Sequence, residues 1–166
     1  IVVTPLGYTR KGWYGAWSTG LDERSLEKEG LYSEKDVMNV LELVKENYTI
    51  DLKNIFLWGH SMGGAGTYHL GMKYPSLWKA LALAAPAPPQ TRKMEDLKIL
   101  QGTPILVLQG TNDTLLYPTR EWVAEMKKLE MNYIYDEIDG ADHSFFVSKN
   151  KKNMKKIFDF FVDNRN

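Results

Sequence analysis

The sequence contains no cysteine, which excludes disulfides, thiolate metal sites and cysteine nucleophiles. The redox compartment stays open, because a cysteine-free protein can work on either side of a membrane. Neither sign of charge predominates, since 21 basic and 21 acidic residues cancel. That balance gives no electrostatic reason to expect nucleic acid or an anionic membrane as a partner. There is also no apolar run long enough to span a bilayer.

The length and composition predict one globular domain over residues 1–166. Its 166 residues, 43% hydrophobic and 25% charged, are typical of such a domain. The chain opens with Ile1, Val2 and Val3 instead of an initiator methionine or a targeting segment. We therefore expect this chain to be the C-terminal portion of a longer domain. The absence of a targeting segment here says nothing about secretion.

Short apolar runs alternate with helical patterns, which predicts βαβ units, a mostly parallel sheet and helices on both of its faces. A glycine- and aromatic-rich stretch at residues 8–32 is predicted to be a long loop. Ser33 and Asp36 resemble a cap at the start of the first helix. Strands are predicted at residues 1–6, 55–58, 78–85, 104–108 and 132–138, and the later helices at 63–73, 119–129 and 148–163, with a further short helix within 90–102.

The most informative motif is Gly59-His60-Ser61-Met62-Gly63, a G-x-S-x-G pattern between an apolar strand and a helix. In this context the motif predicts a nucleophile elbow, a strained strand-to-helix turn that exposes the serine hydroxyl. Only small residues should fit two positions on either side of the serine. The Met62 backbone N–H, at the helix N-terminus, is the predicted oxyanion donor. A plain glycine-rich turn is the structural alternative.

A serine hydroxyl needs a base, and the sequence has three histidines. His60 adjoins Ser61, where the sharp turn sends neighbouring side chains in different directions, so it is expected to support the turn from below. His69 lies about two helical turns beyond Ser61 and is expected to be a packed or surface residue. His143 follows the last predicted strand and is the candidate base.

The acid that orients the base should lie on another loop at the same edge of the sheet. Asp113 follows the fourth predicted strand, and it gives the order Ser, Asp, His along the chain. Asp142 is a rival, although its position next to His143 makes the required geometry difficult. The remaining acids near this loop are weaker candidates, namely Asp136, Glu137 and Asp139.

Aromatic side chains on the loop before the first helix are candidates for contacting a substrate. Trp13, Tyr14 and Trp17 lie close together there, at the edge where Ser61 is expected to emerge. Their faces could stack on a sugar or a phenolic acyl group. Equally, they could form a hydrophobic lid over the core.

Several motifs together resemble the α/β-hydrolase superfamily over nearly the whole chain. They are Gly59–Gly64, the turn at residues 110–113 and the turn at residues 140–143. Ser33 to Val37, Tyr74-Pro75 and Pro86 are similar to its prolyl-oligopeptidase-like and carbohydrate-esterase branch, which includes feruloyl and acetyl-xylan esterases. The resemblance implies additional strands before residue 1, one of them between the first two predicted strands. It also implies that the loop after that strand supplies the second oxyanion N–H, whose loss costs about 3–4 kcal/mol in the transition state.

These residues predict a serine esterase in which Ser61, His143 and Asp113 form a catalytic triad, with no metal or organic cofactor. The expected substrate is a small-molecule or carbohydrate-linked ester, with neither nucleic acid nor membrane as partner. The alternatives are a prolyl-oligopeptidase-like serine peptidase, an acyltransferase and a non-catalytic binding module with the same fold. The oligomeric state stays open, and family analogy favours a secreted or periplasmic protein.

Overall fold

The sheet has four parallel strands in the order β1-β2-β3-β4. The structure, a computed structural model, describes residues 1–16, 23–144 and 150–166. Because all strands run the same way, their carboxyl ends lie along one edge of the sheet. The strands are β1 (Phe56–His60), β2 (Ala80–Ala84), β3 (Ile105–Gly110) and β4 (Tyr133–Ile138).

Helices cover both faces of the sheet. On one face, Leu81, Leu83 and Val107 pack with residues of the first three helices and of a 3₁₀ helix at Met94–Leu100. On the other face, Ala82 and Leu108 pack against the last helix. Alternate residues of a strand point to opposite faces, so each buried strand serves both layers. The helices are α1 (Glu23–Asn47), α2 (Met62–Lys73), α3 (Leu116–Lys128) and α4 (Lys151–Asp163).

The predicted fold class is confirmed: a parallel sheet with helices on both faces, as in a partial α/β-hydrolase fold. The four strands from β1 onward correspond to the predicted ones with shifts of a few residues at their ends. Helix α3 begins at Leu116, three residues before the predicted start, with Pro118 in its first turn. Proline is tolerated there because first-turn N–H groups have no acceptor within the helix.

The predicted strand at residues 1–6 is wrong, because this segment has no regular secondary structure. Ile1 is 79% exposed and Leu6 is 85% exposed. In the described part of the chain, no strand pairs with this segment, and β1 is an edge strand with β2 as its neighbour. An apolar run forms a strand only where a partner completes the backbone hydrogen bonds, and the sequence of the run does not supply that partner.

The predicted start of the first helix is also wrong, since α1 begins at Glu23, ten residues before Ser33. Ser33 and Asp36 therefore lie inside the helix and do not cap it. The Ser33 hydroxyl donates to the Gly7 carbonyl and accepts from the Tyr14 N–H, and Asp36 accepts from the Gly7 N–H. These polar residues fasten the N-terminal loop to the helix.

None of the helices that the structure describes is long and apolar enough to cross a membrane.

Candidate active site

Ser61 lies at the turn between β1 and α2, with a backbone conformation of φ 55° and ψ −114°. A positive φ is unfavourable for a residue with a side chain, so the surrounding structure must impose it. The Ser61 N–H donates to the Ala84 carbonyl at 3.0 Å, and the Ser61 carbonyl accepts from Ala65 and Ala87, each at 3.1 Å. Strand β2, helix α2 and the loop after β2 thus hold the serine in place.

The glycines around Ser61 are required by close backbone approach, but not symmetrically. A Cβ at Gly59 would lie inside the main chain of Gly63, and one at Gly64 would lie 2.7 Å from Pro86. A Cβ at Gly63 would meet nothing closer than Tyr14, at 4.0 Å. The expected steric limit therefore holds at Gly59, whereas a Cβ can be accommodated at Gly63. What matters at Gly63 is that its backbone occupies the space beside Gly59.

The structure brings His143 into contact with both of its predicted partners. Its Nε2 accepts from the Ser61 hydroxyl at an N–O distance of 2.7 Å. Its Nδ1–H donates to Asp113 Oδ2 at 2.8 Å, and Asp113 Oδ1 accepts from the Leu115 N–H at 2.8 Å. The Asp113 side chain is fully buried, whereas 43% of the His143 side chain is exposed. An exposed imidazole between a buried carboxylate and a strained serine can accept a proton and return it to a bound molecule.

Two loops that carry the acid and the base are tied to each other. The Asn112 N–H donates to the Ala141 carbonyl at 3.0 Å, and the Gly140 N–H donates to the Thr111 hydroxyl at 2.8 Å. A Cβ at Gly110 would overlap the Ala141 carbonyl, so glycine is needed for this approach. The turn after β3 and the turn after β4 consequently act as one platform for Asp113 and His143.

The rival acids all contact groups other than the His143 ring. Asp142 is exposed and accepts from the Ser144 N–H and hydroxyl at 2.9 and 2.8 Å. Asp136 pairs with Lys156, and Asp139 accepts from Thr111. Glu137 forms a two-pronged ion pair with Arg120 and accepts from Tyr135, and these hydrogen bonds lower the pKa of Glu137 to about 2.

Met62 is the first residue of α2. The first N–H groups of a helix have no acceptor within it and carry the positive end of the helix dipole. The Met62 N–H therefore belongs to a set of donors suited to a developing oxyanion, and its predicted role stays a prediction.

The aromatic residues predicted to contact a substrate have different surroundings. Trp13 and Tyr14 form a 3₁₀ turn, Trp13–Gly15. Trp13 packs on a small apolar cluster with Ala65 and Ala87, both hydrogen-bonded to the Ser61 carbonyl. Tyr14 packs against Gly66 of α2, and burial raises the pKa of its hydroxyl. Trp17 lies outside the described residues.

A second chain of polar contacts, which no motif in the sequence predicts, links Glu34, His69 and Thr91, and we call it the clamp. His69 Nε2 donates to Glu34 Oε2 at 2.7 Å, and His69 Nδ1 lies 2.8 Å from the Thr91 hydroxyl oxygen. Lys73 and Tyr74 also donate to Glu34. Burial alone would raise the pKa of Glu34, but the donors on its carboxylate together lower it to about 2. The one sequence signal was the spacing of His69 and Lys73 on one face of α2.

Residues 32–102 match a family model described as serine aminopeptidase, S33. Solved structures match over more of the chain. A thermostable esterase is 19% identical with a TM-score of 0.61, over 76% of this chain and 36% of its own. SOBER1 from Arabidopsis thaliana is 22% identical with a TM-score of 0.64, over 88% of this chain and 67% of its own. The chain has the α/β-hydrolase fold.

Another structure with this fold is an S-formylglutathione hydrolase from Agrobacterium tumefaciens. It is 19% identical with a TM-score of 0.67, over 92% of this chain and 63% of its own. This chain thus spans about a third to two thirds of the length of these three matched structures. No curated protein sequence matches it significantly. At such identities the structural matches establish the fold, and the substrate must be argued from the site.

The match to the family model covers less than half of the chain. Among the residues that the structure describes, no group of three or more histidine, aspartate or glutamate side chains is arranged to hold a metal ion.

Proposed function

We propose that the protein hydrolyses carboxylic esters through an acyl-enzyme on Ser61. The observation that carries this proposal is the continuous hydrogen-bonded chain from the Ser61 hydroxyl through His143 to Asp113, with N–O distances of 2.7 and 2.8 Å. The strained turn at Ser61 and the exposure of the His143 ring support it, because the hydroxyl and its base are presented together where a substrate can reach them.

In the first half of the reaction, the Ser61 oxygen attacks the ester carbonyl carbon while its proton passes to His143 Nε2. The buried Asp113 carboxylate holds the proton on Nδ1 and stabilises the imidazolium that forms. Negative charge develops on the former carbonyl oxygen, where the Met62 N–H is the proposed donor. His143 then gives its proton to the departing alcohol, which leaves Ser61 acylated.

In the second half, a water molecule attacks the acyl carbon and His143 accepts one of its protons. Collapse of the second tetrahedral intermediate releases the carboxylic acid and returns the proton to Ser61. No atom in this scheme changes its oxidation state. The residues of this chain account for each proton transfer.

For the substrate, we propose an ester whose acyl or alcohol group contacts Trp13. This side chain packs on Ala65 and Ala87, the two residues whose N–H groups bind the Ser61 carbonyl. An aromatic face next to the nucleophile favours a sugar or a phenolic group through stacking. Tyr14 and Trp17 stay as further candidates for this contact. A carbohydrate-linked ester is the substrate class that we favour.

A fluorophosphonate probe tests the proposal directly, because it reacts covalently with an activated serine. We expect wild-type protein to be labelled at Ser61, as located by peptide mass spectrometry, and Ser61→Ala to remain unlabelled. If folded wild-type protein is not labelled, the protein is a non-catalytic module with this fold and the proposal fails.

A serine peptidase is the second candidate, favoured by the family model that matches residues 32–102. A panel of short-chain nitrophenyl esters, feruloyl esters and a proline anilide separates the two activities. We expect the esters to be cleaved with much higher kcat/KM than the anilide. Faster cleavage of the anilide would select the peptidase instead. Product analysis with added alcohols distinguishes hydrolysis from acyl transfer to another acceptor.

A further inference from the structure

His60, the residue before the nucleophile, has its side chain on the opposite face of the sheet from α2. By the alternation of a strand it shares a face with Phe56 and Trp58. That face is covered by α4, and Phe56 stacks on Phe161 with ring centroids 4.8 Å apart. The His60 ring is therefore at the carboxyl end of the layer between the sheet and α4, on the side from which the chain returns after β4.

The His60 ring contacts the candidate base. Its Nε2 lies 2.8 Å from the main-chain oxygen of His143, and the two ring centroids are 4.9 Å apart. A carbonyl oxygen only accepts hydrogen bonds, so Nε2 of His60 carries a proton and donates it. Burial is the main cause that lowers the pKa of His60, and it outweighs the bond to the His143 carbonyl, which acts in the opposite direction. A neutral ring with its proton on Nε2 fits both observations.

The position of the His143 backbone matters because the imidazole must meet two partners at once. Upstream, the Ala141 carbonyl is bound by the Asn112 N–H. The bond from His60 acts on His143 itself, at the residue whose ring must stay 2.7 Å from the Ser61 oxygen. Since His60 and Ser61 are consecutive, the end of one strand carries the nucleophile and also anchors its base.

We propose that His60 is a positioning residue, whose Nε2–H holds the main chain of His143 so that the imidazole stays within reach of Ser61. This inference rests on the proposed function, because it assigns His60 a role in the same acyl transfer. A neutral donor is suited to the role, since a charged one would face the imidazolium that forms during the reaction.

Two substitutions separate the hydrogen bond from the packing of the ring. Gln can present its amide N–H close to the position of Nε2, whereas Leu fills a similar volume and donates nothing. We expect H60L to lower kcat for a nitrophenyl ester by about 10- to 100-fold, since a shift of the base by about 1 Å costs up to about 100-fold. KM should stay within about two-fold. We expect H60Q to recover most of the lost kcat.

The control variant is W58F, which alters the same face of β1 two residues before His60. Its kcat should equal that of wild-type protein, and rates of fluorophosphonate labelling should follow the same order as kcat. If wild-type protein is labelled and H60L is labelled equally fast, the inference about His60 is overturned while the proposed function stands. If wild-type protein is not labelled, the proposed function fails first.

A measurement on wild-type protein keeps the inference testable even if H60L does not fold. Long-range ¹H–¹⁵N spectra report which ring nitrogen of a histidine carries the proton. We expect His60 to be neutral at pH 7.5 with its proton on Nε2. A proton on Nδ1 alone, or on both nitrogens, would contradict the proposed bond to the His143 carbonyl.

Discussion

His143 and His69 each lie between a carboxylate and a hydroxyl group. His143 joins Asp113 to Ser61, and His69 joins Glu34 to Thr91, with hydrogen-bond distances of 2.7–2.8 Å in both cases. The two rings are turned in opposite senses, since the carboxylate binds Nδ1 of His143 but Nε2 of His69. Residue types and distances alone therefore do not distinguish the candidate catalytic chain from the clamp.

Access and backbone conformation do distinguish them. The His143 side chain is 43% exposed, whereas only 7% of the His69 side chain is. Ser61 has a positive φ at the start of a helix, and Thr91 lies in a loop beside the Gly15 carbonyl. The Glu34 carboxylate also accepts hydrogen bonds from Lys73 and Tyr74. These additional bonds connect neighbouring elements and suit a structural role. One arrangement suits chemistry, and the other fastens α1 to α2.

The largest expected effect comes from removing the two hydroxyl groups separately. We expect S61A to lower kcat for a nitrophenyl ester by about 10⁴-fold or more, because the attacking atom is gone. The matched T91A variant should keep kcat within about two-fold. Both are measured by steady-state kinetics and fluorophosphonate labelling. Residual labelling of Thr91 in S61A would show that the clamp is also reactive and would end the distinction.

The second prediction exchanges each carboxylate for an amide. In D113N the amide N–H can face Nδ1 of His143, which leaves the proton on Nε2, where it blocks transfer from Ser61. We expect kcat to fall by about 10³- to 10⁴-fold. Glu34→Gln, the matched change in the clamp, should leave kcat of the folded protein within about three-fold. Equal losses of kcat in the two variants would contradict the assignment of separate roles.

Stability should show the opposite pattern at Glu34. The E34Q variant removes the charge that His69, Lys73 and Tyr74 bind in a buried setting. We expect the free energy of unfolding to fall by about 3 kcal/mol, as measured by chemical denaturation. The control D159N breaks an exposed pair with Lys155 on α4 and should change stability by less than about 0.5 kcal/mol. If E34Q loses no more unfolding free energy than D159N does, the stabilising role of the clamp is contradicted.

The pH dependence of stability gives an independent check on Glu34. Its pKa in the folded protein is about 2, below the ordinary value of 4.5. Its contribution is therefore complete above about pH 4.5 and is lost as the pH falls towards 2. We expect the difference in Tm between wild-type protein and E34Q to be constant between pH 8 and 5 and to shrink below 4.5. A difference that persists at pH 2.5 would show that the charge of Glu34 is not its cause.

The candidate catalytic chain was predictable because each of its parts has a local signature. Gly59 and Ser61 mark the turn that carries the nucleophile. Because the carboxyl ends of parallel strands share one edge of the sheet, the acid and the base are expected on the loops after β3 and β4. Asp113 and His143 were then selected by residue type and chain order. Their catalytic roles stay predictions, although the structure brings the side chains together.

The clamp and the N-terminal segment were not predictable in this way. Glu34 meets His69 only because α1 packs against α2, and no spacing in the sequence records that contact. Residues 1–6 have the apolar pattern of a strand, but pairing is a property of the neighbouring strand, not of the pattern. Likewise, the contact of His60 with the His143 carbonyl depends on the path of the loop after β4, which no motif in the sequence specifies.

The smallest expected effect concerns two threonine hydroxyls that support the two histidines. Thr91 is exposed, so water can replace its bond to His69, and T91V should cost only about 1 kcal/mol of stability without changing kcat. Thr111 binds the Gly140 N–H beneath the base, so T111V should lower kcat several-fold through a looser His143 loop. Denaturation curves and steady-state rates of the two variants, compared directly, measure both effects. A several-fold loss of kcat in T91V would mean that the clamp also holds the nucleophile's surroundings, since the loop that carries Thr91 also carries Ala87.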